Sequence, residues 1–124
     1  MAQIKHFQEL KVWQKAHQLV LNVYQVTRNF PKEERFALLV QIRRAVVSVA
    51  SNIVEGFNRR SVNDSLHFYN FAKASLEEVK YQLLIAKDLD YISLKVYEES
   101  LSLAEEVGRM LNAWTNSQIK NTST

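Results

Sequence analysis

The sequence contains no cysteine, which excludes disulfide scaffolds, thiolate nucleophiles and cysteine-ligated zinc sites. It has only two glycines and one proline in 124 residues, so turns must be few and the regular elements long. No window approaches the roughly eighteen uninterrupted apolar residues of a membrane span, and the first residues are too charged for a signal peptide. These absences predict a soluble, cytoplasmic, helical protein.

Charge is distributed unevenly along the chain. Residues 1–60 hold ten Lys and Arg against four Asp and Glu, whereas residues 61–124 hold six against nine. The first half is therefore basic and the second acidic. Such asymmetry is typical of a protein that binds a polyanion on one side, or of one whose copies pair through complementary charges.

Apolar residues recur at helical spacing in four segments, as Val12, Leu19 and Val26 do in the first. Pro31 and Gly56 interrupt the pattern, and the stretch "SVND" has the form of an N-terminal capping box. We predict one domain over residues 1–124, with helices at about 9–28, 32–56, 62–88 and 94–117, followed by a frayed polar tail. Because short connections join antiparallel neighbours, the predicted fold is an all-α, antiparallel, up-and-down four-helix bundle.

A narrow polar line interrupts the apolar second helix. Its members, spaced at i, i+4, i+7, i+8 and i+11, are Arg44, Ser48, Ser51, Asn52 and Glu55. A matching line on the third helix consists of Ser75, Glu78 and Gln82. Because a buried guanidinium needs an acceptor, Glu78 is expected to accept hydrogen bonds from Arg44 or Asn52. We interpret the line as a structural seam that sets helix register or subunit pairing, the alternative being a ligand or catalytic pocket.

Basic residues flank the second helix at both ends. Arg28, Lys32 and Arg35 lie at its start, and Arg59 and Arg60 lie at its junction with the third helix. These are the candidate nucleic-acid contacts, since binding a phosphate backbone requires several cations on one side, although solubilising surface charge is the alternative for any one of them. Aromatic residues for base stacking are not evident, because Phe57 and Tyr69 fit a core or an interface more simply.

Signs of catalysis or metal binding are weak. The histidines are His6, His17 and His67, and none belongs to a Glu-x-x-His pair of the kind that bundle metal sites use. Asp64 and His67 form one Asp-x-x-His pair without a second. No nucleophile–base–acid set or glycine-rich phosphate loop is present. The sequence therefore predicts a protein that is not an enzyme and has no catalytic residues, cofactor or metal.

Three stretches carry a family resemblance: "FQELKVWQKAHQLVLNVYQVTRNFP", "LLVQIRRAVVSVASNIVEGFNRRS" and "FYNFAKASLEEVKYQLLIAKDLDYI". Over nearly all of the chain from Phe7 to about Trp114, they resemble the four-helix-bundle family also called 23S ribosomal RNA intervening-sequence proteins. The matching signature positions are Leu10, Val12, Trp13, Ala16, Phe30, Pro31, Gln41, Arg43, Arg44, Ala45, Ser48, Asn52, Glu55, Gly56, Ser75, Leu76 and Glu78. The polar positions among them are those of the seam.

The resemblance implies a bundle assembled as a ring, commonly a homopentamer, encoded within insertions of bacterial large-subunit ribosomal RNA genes. Related bundle proteins serve as accessory factors to the reverse transcriptases of diversity-generating retroelements, where nucleic-acid binding is proposed. Two functions therefore stay open: an accessory protein that binds RNA, DNA or a nucleic-acid-handling protein, and an oligomeric protein-interaction scaffold with no nucleic-acid partner. In both, Arg44, Ser48, Asn52, Glu55 and Glu78 are expected to form the inter-subunit seam.

Overall fold

A computed structural model describes residues 3–122. Within that range the chain forms four long helices and two short 3-10 turns, with no strand. The helices are α1 (Lys11–Val26), α2 (Leu38–Phe57), α3 (Val62–Asp88) and α4 (Leu94–Thr122), and the 3-10 turns span Phe7–Glu9 and Lys32–Glu34. The predicted all-helical, four-helix architecture is confirmed.

The helices pack around one core because each presents an apolar stripe. On α1 the stripe comprises Val12, Ala16, Leu19 and Val23, all buried. The other helices contribute stripes at similar spacing, and each helix packs against two of the others: α1 and α3 both contact α2 and α4. Burial of these stripes stabilises the bundle by about 25 cal/mol for each square ångström of apolar surface removed from water.

The third helix begins and ends where the sequence predicts, and its first turn is capped. The Ser61 hydroxyl accepts a hydrogen bond from the Asp64 backbone N–H at 3.1 Å. Ser93 caps the fourth helix in the same way, accepting from the Val96 N–H at 3.1 Å. Each cap pairs one of the N–H groups that a helix start leaves unpaired.

The other boundaries differ from the prediction. Helix α2 begins at Leu38 instead of residue 32, because Ala37 has a non-helical backbone (φ −124°, ψ −107°) and the Glu34 carboxylate accepts from the Leu38 N–H. Helix α1 is shorter than the predicted 9–28 by two residues at each end. The predicted frayed tail is wrong as far as Thr122, since no proline or glycine stops α4 after Ser117.

Arg43 ties the end of α1 to α2. Its Nε donates to the Thr27 hydroxyl at 3.0 Å, and its Nη2 donates to the Tyr24 carbonyl oxygen at 3.3 Å. The guanidinium also lies 4.5 Å from the centroid of the Tyr24 ring. A planar group with several donors can make all three contacts at once, whereas an ammonium cannot.

Arg43→Lys is therefore expected to lower the free energy of unfolding by about 1–2 kcal/mol, because the lysine loses the paired hydrogen bonds and the ring contact. Urea unfolding followed by circular dichroism measures the change. Arg109→Lys, at an exposed position on α4, is the control and should change stability by less than about 0.5 kcal/mol. Equal effects of the two substitutions would contradict a stabilising role of the contacts that Arg43 makes with α1.

Candidate functional site

The middle of the polar seam joins α2 to α3 within one chain. The Ser48 and Ser75 hydroxyl oxygens lie 2.8 Å apart and share a hydrogen bond. Asn52 Nδ2 donates both to the Ser48 carbonyl oxygen at 2.8 Å and to the Ser48 hydroxyl at 3.0 Å. Asn52 therefore bonds to Ser48 on its own helix instead of to Glu78. These three half-buried side chains satisfy one another and hold the two helices in register.

Beside this network lies a polar groove of about 280 Å³, the seam groove, lined by Arg44, Ser48, Ser75, Glu78 and Gln82 together with Gln41 and Ala45. The Gln82 side chain is 8% exposed, and its Oε1 has no hydrogen-bond partner. Arg44 and Glu78 are exposed, and within residues 3–122 neither forms an ion pair or a side-chain hydrogen bond. The Gln82 Oε1 therefore lacks a hydrogen-bond donor, and such an unpaired buried acceptor destabilises a fold by about 1–3 kcal/mol.

Apolar side chains surround the seam groove on the outer surface of α2 and α3. Val40 and Val47 are 38% and 39% exposed, and they lie four residues before and three residues after Arg44 on the same face of α2. Phe71 and Tyr81 are 51% and 64% exposed on the corresponding face of α3. We call these four residues and the seam groove the α2–α3 face. Large apolar side chains exposed together on one face are typical of a surface that another protein covers.

Glu55, the last predicted seam residue, lies apart from the seam groove. Its carboxylate pairs with the Arg59 guanidinium one turn later on the chain. Four of the five predicted seam residues therefore lie together, two in the internal network and two exposed at the groove. Spacing in the sequence places Gln82 on the line of the third helix, but it does not predict that Gln82 is buried.

At the connection between α2 and α3, basic and aromatic side chains lie together. The Arg59 guanidinium lies 4.3 Å from the centroid of the Phe68 ring, and the His67 ring lies 4.8 Å from that of Phe71. Arg60 is exposed and has no ion-pair partner among the described residues. These aromatic groups differ from the expectation that none is evident for base stacking. The spacing of His67, Phe68 and Phe71 on one helix was the available signal.

The second predicted basic set precedes α2. Arg28, Lys32 and Arg35 are all exposed, and none has an ion-pair partner in the described range. The nearby Glu34 carboxylate is engaged by Tyr91, whose hydroxyl donates to Glu34 Oε2 at 2.7 Å. The two basic sets lie at opposite ends of α2, whose twenty residues span about 30 Å. They are two separate patches on one chain.

Across residues 3–122, no three His, Cys, Asp or Glu side chains are grouped so that they could hold a metal ion. In the same range, none of the helices combines the length and the apolar character that crossing a membrane requires.

Comparisons with known proteins agree with this architecture. A crystal structure of a protein of unknown function from the S23 ribosomal protein family of Bacteroides thetaiotaomicron has a TM-score of 0.75 and 23% sequence identity. The alignment covers 84% of this chain and 97% of that one. No curated protein matches the sequence. The model of the 23S rRNA-intervening sequence protein family matches residues 8–113, most of the chain. The chain therefore belongs to the 23S rRNA-intervening sequence protein family.

Proposed function

We propose that this protein is a non-enzymatic accessory protein of the cytoplasm that assembles from identical copies and binds nucleic acid through its basic residues. Each copy is an antiparallel, up-and-down bundle, and the copies form a ring, with five as the expected number. The observation that carries the self-association is the α2–α3 face, where the unpartnered Gln82 acceptor and the unpaired Arg44 and Glu78 lie among exposed apolar side chains.

A second copy suits this face by charge as well as by shape. Arg44 and Glu78 have opposite charges, so one copy's arginine is attracted to the other copy's glutamate. Covering the face also removes Val47, Phe71 and Tyr81 from water, which is the main favourable term in association. A donor from the second copy would satisfy Gln82. Within residues 3–122 of the single chain, Arg44, Glu78 and the Gln82 Oε1 lack partners, and contact with one second copy can supply a partner to all three.

The nucleic-acid part of the proposal rests on the unpaired cations. Arg60, Arg28, Lys32 and Arg35 are exposed and have no carboxylate partner among the described residues, so each is available to a phosphate group. The exposed ring of His67, which contacts the Phe68 ring beneath Arg59, adds a surface on which a base can stack. A ring would repeat both basic patches once for each copy and so raise the local positive potential.

The test is a fluorescence-anisotropy titration with labelled structured RNA and with duplex DNA, at about 50 and 200 mM salt. We expect binding that weakens steeply with salt, and the Arg59→Ala/Arg60→Ala variant should bind more weakly at both salt concentrations. Each phosphate contact removed should lower the slope of log affinity against log salt by about 0.7–0.9. The matched control is Lys95→Ala/Arg109→Ala, which removes two exposed cations from α4.

A protein-interaction scaffold is the second candidate, and the α2–α3 face with its exposed Phe71 and Tyr81 favours it. A scaffold would bind neither nucleic acid, even at the lower salt concentration. That result would overturn the nucleic-acid part of the proposal and leave the self-association intact. An equal loss of binding in the two double variants would instead indicate non-specific charge attraction.

A further inference from the structure

A cavity of about 420 Å³ opens at the end of the bundle where α2 ends and α3 begins, and we call it the terminal pocket. Phe57 and Arg60 line it from the α2–α3 connection, Tyr69 from α3, and Trp114 from α4. Two of the described lining residues are arginines and none is a carboxylate. The volume lies within the usual range for a small-molecule site, and the lining favours an anion that carries a ring.

Two aromatic side chains that line the terminal pocket carry hydrogen-bond donors. The indole Nε1 of Trp114 is buried and lies beside the Tyr69 hydroxyl, without a hydrogen bond of standard geometry. Burial raises the pKa of the Tyr69 phenol, an effect that the adjacent Trp114 side chain partly offsets, so the hydroxyl keeps its proton at neutral pH.

The two arginines at the terminal pocket differ in availability. Arg59 already pairs with Glu55 and lies over the Phe68 ring. Arg60 has no ion-pair partner within the described range, and it is the cation free to meet an incoming anion. A guanidinium holds a phosphate through two parallel hydrogen bonds, which gives direction as well as charge.

We propose that the terminal pocket binds one nucleotide with a terminal phosphate, with the phosphate on Arg60 and the base beside Trp114 and Phe57. The nucleotide is either a free nucleoside monophosphate or the phosphorylated end of a strand. The inference deepens the proposed function, on which it rests, because it assigns part of the nucleic-acid contact to a pocket that admits a single nucleotide.

Tryptophan fluorescence tests the terminal pocket directly. The chain has two tryptophans, so Trp13→Phe leaves Trp114 as the reporter. The probes are uridine and adenosine 5′-monophosphate, the unphosphorylated nucleosides, inorganic phosphate, and an oligoribonucleotide with either a 5′-phosphate or a 5′-hydroxyl end. Calorimetry on the unsubstituted protein repeats each titration, so the test does not depend on how Trp13→Phe folds.

We expect a saturable change in Trp114 fluorescence with the monophosphates, and at least about tenfold weaker binding of the nucleosides. Arg60→Gln should weaken monophosphate binding by a similar factor, whereas Arg109→Gln, on α4 outside the terminal pocket, should leave it unchanged. A preference for the 5′-phosphorylated oligonucleotide over the 5′-hydroxyl one would identify a strand end as the source. Binding of the free monophosphates without that preference would identify a free nucleotide.

The outcomes separate the two proposals. Salt-sensitive binding of long RNA without a monophosphate response, either in Trp114 fluorescence or in calorimetry, would overturn the terminal pocket and leave the proposed function standing. Monophosphate binding that Arg60→Gln weakens, without any binding of long RNA or DNA, would support the pocket and overturn the nucleic-acid function. Monophosphate binding that Arg60→Gln does not weaken would overturn the assignment of the phosphate to this pocket.

Discussion

Replacing Gly56 with alanine is expected to lower the free energy of unfolding by about 1–2 kcal/mol, because overpacking outweighs the better helix propensity of alanine. A Cβ atom at Gly56 would lie within 3.0 Å of three carbons of the Tyr69 ring. That ring is 1% exposed and is one of the largest fully buried side chains, so it has little room to move. Thermal unfolding at a fixed protein concentration measures the change.

The glycine of α4 provides the matched control. A Cβ at Gly108 would approach only Leu76 Cδ2, at 3.4 Å, and that methyl group ends a flexible side chain. Gly108→Ala should therefore be neutral or raise the free energy of unfolding by up to about 1 kcal/mol, because glycine is a poor helix former. A shift in the same direction and of similar size for both variants would contradict the close packing of Tyr69 on Gly56.

Val47→Lys is expected to disrupt the assembly while leaving the helix content unchanged. Val47 is 39% exposed in the single chain, so a lysine fits there without repacking the core. In the proposed assembly the same position is covered, and an unpaired ammonium would then lose its hydration without gaining a partner. The mass measured by light scattering should fall toward that of a single chain, with an unchanged circular-dichroism spectrum.

Leu21→Lys is the control, because Leu21 is the most exposed large apolar residue of α1 and lies outside the α2–α3 face. It should leave the mass unchanged. If Leu21→Lys dissociated the assembly and Val47→Lys did not, the contact would lie on α1. An unchanged mass in both variants would show that Val47 does not lie in the interface between copies.

Local signals in the sequence predict some boundaries well and others poorly. Both ends of α3 were predicted correctly because a serine cap and a helical period are properties of neighbouring residues. The start of α2 was misplaced because it depends on Glu34, whose carboxylate caps Leu38 and also accepts from Tyr91, 57 residues away in the chain. A contact of that range leaves no periodic trace in the sequence.

The sequence likewise predicts some parts of the candidate sites and not others. Helical spacing alone brought Ser48, Asn52 and Ser75 to one line between two helices, and the structure joins them by hydrogen bonds. The terminal pocket could not be found by spacing, since it forms only where parts of α2, α3 and α4 meet. The burial of Gln82 likewise depends on how closely two helices approach. Local patterns identify faces, whereas cavities depend on tertiary packing.

In the proposed assembly, a second copy of the chain covers the α2–α3 face. The most direct test is the mass of the unsubstituted protein in solution, measured by light scattering during size-exclusion chromatography and repeated at several protein concentrations. The proposal predicts a mass several times that of the 14.4 kDa chain, and five times that value for the proposed ring. A mass of one chain at every concentration would contradict it, because the α2–α3 face would then be exposed to solvent.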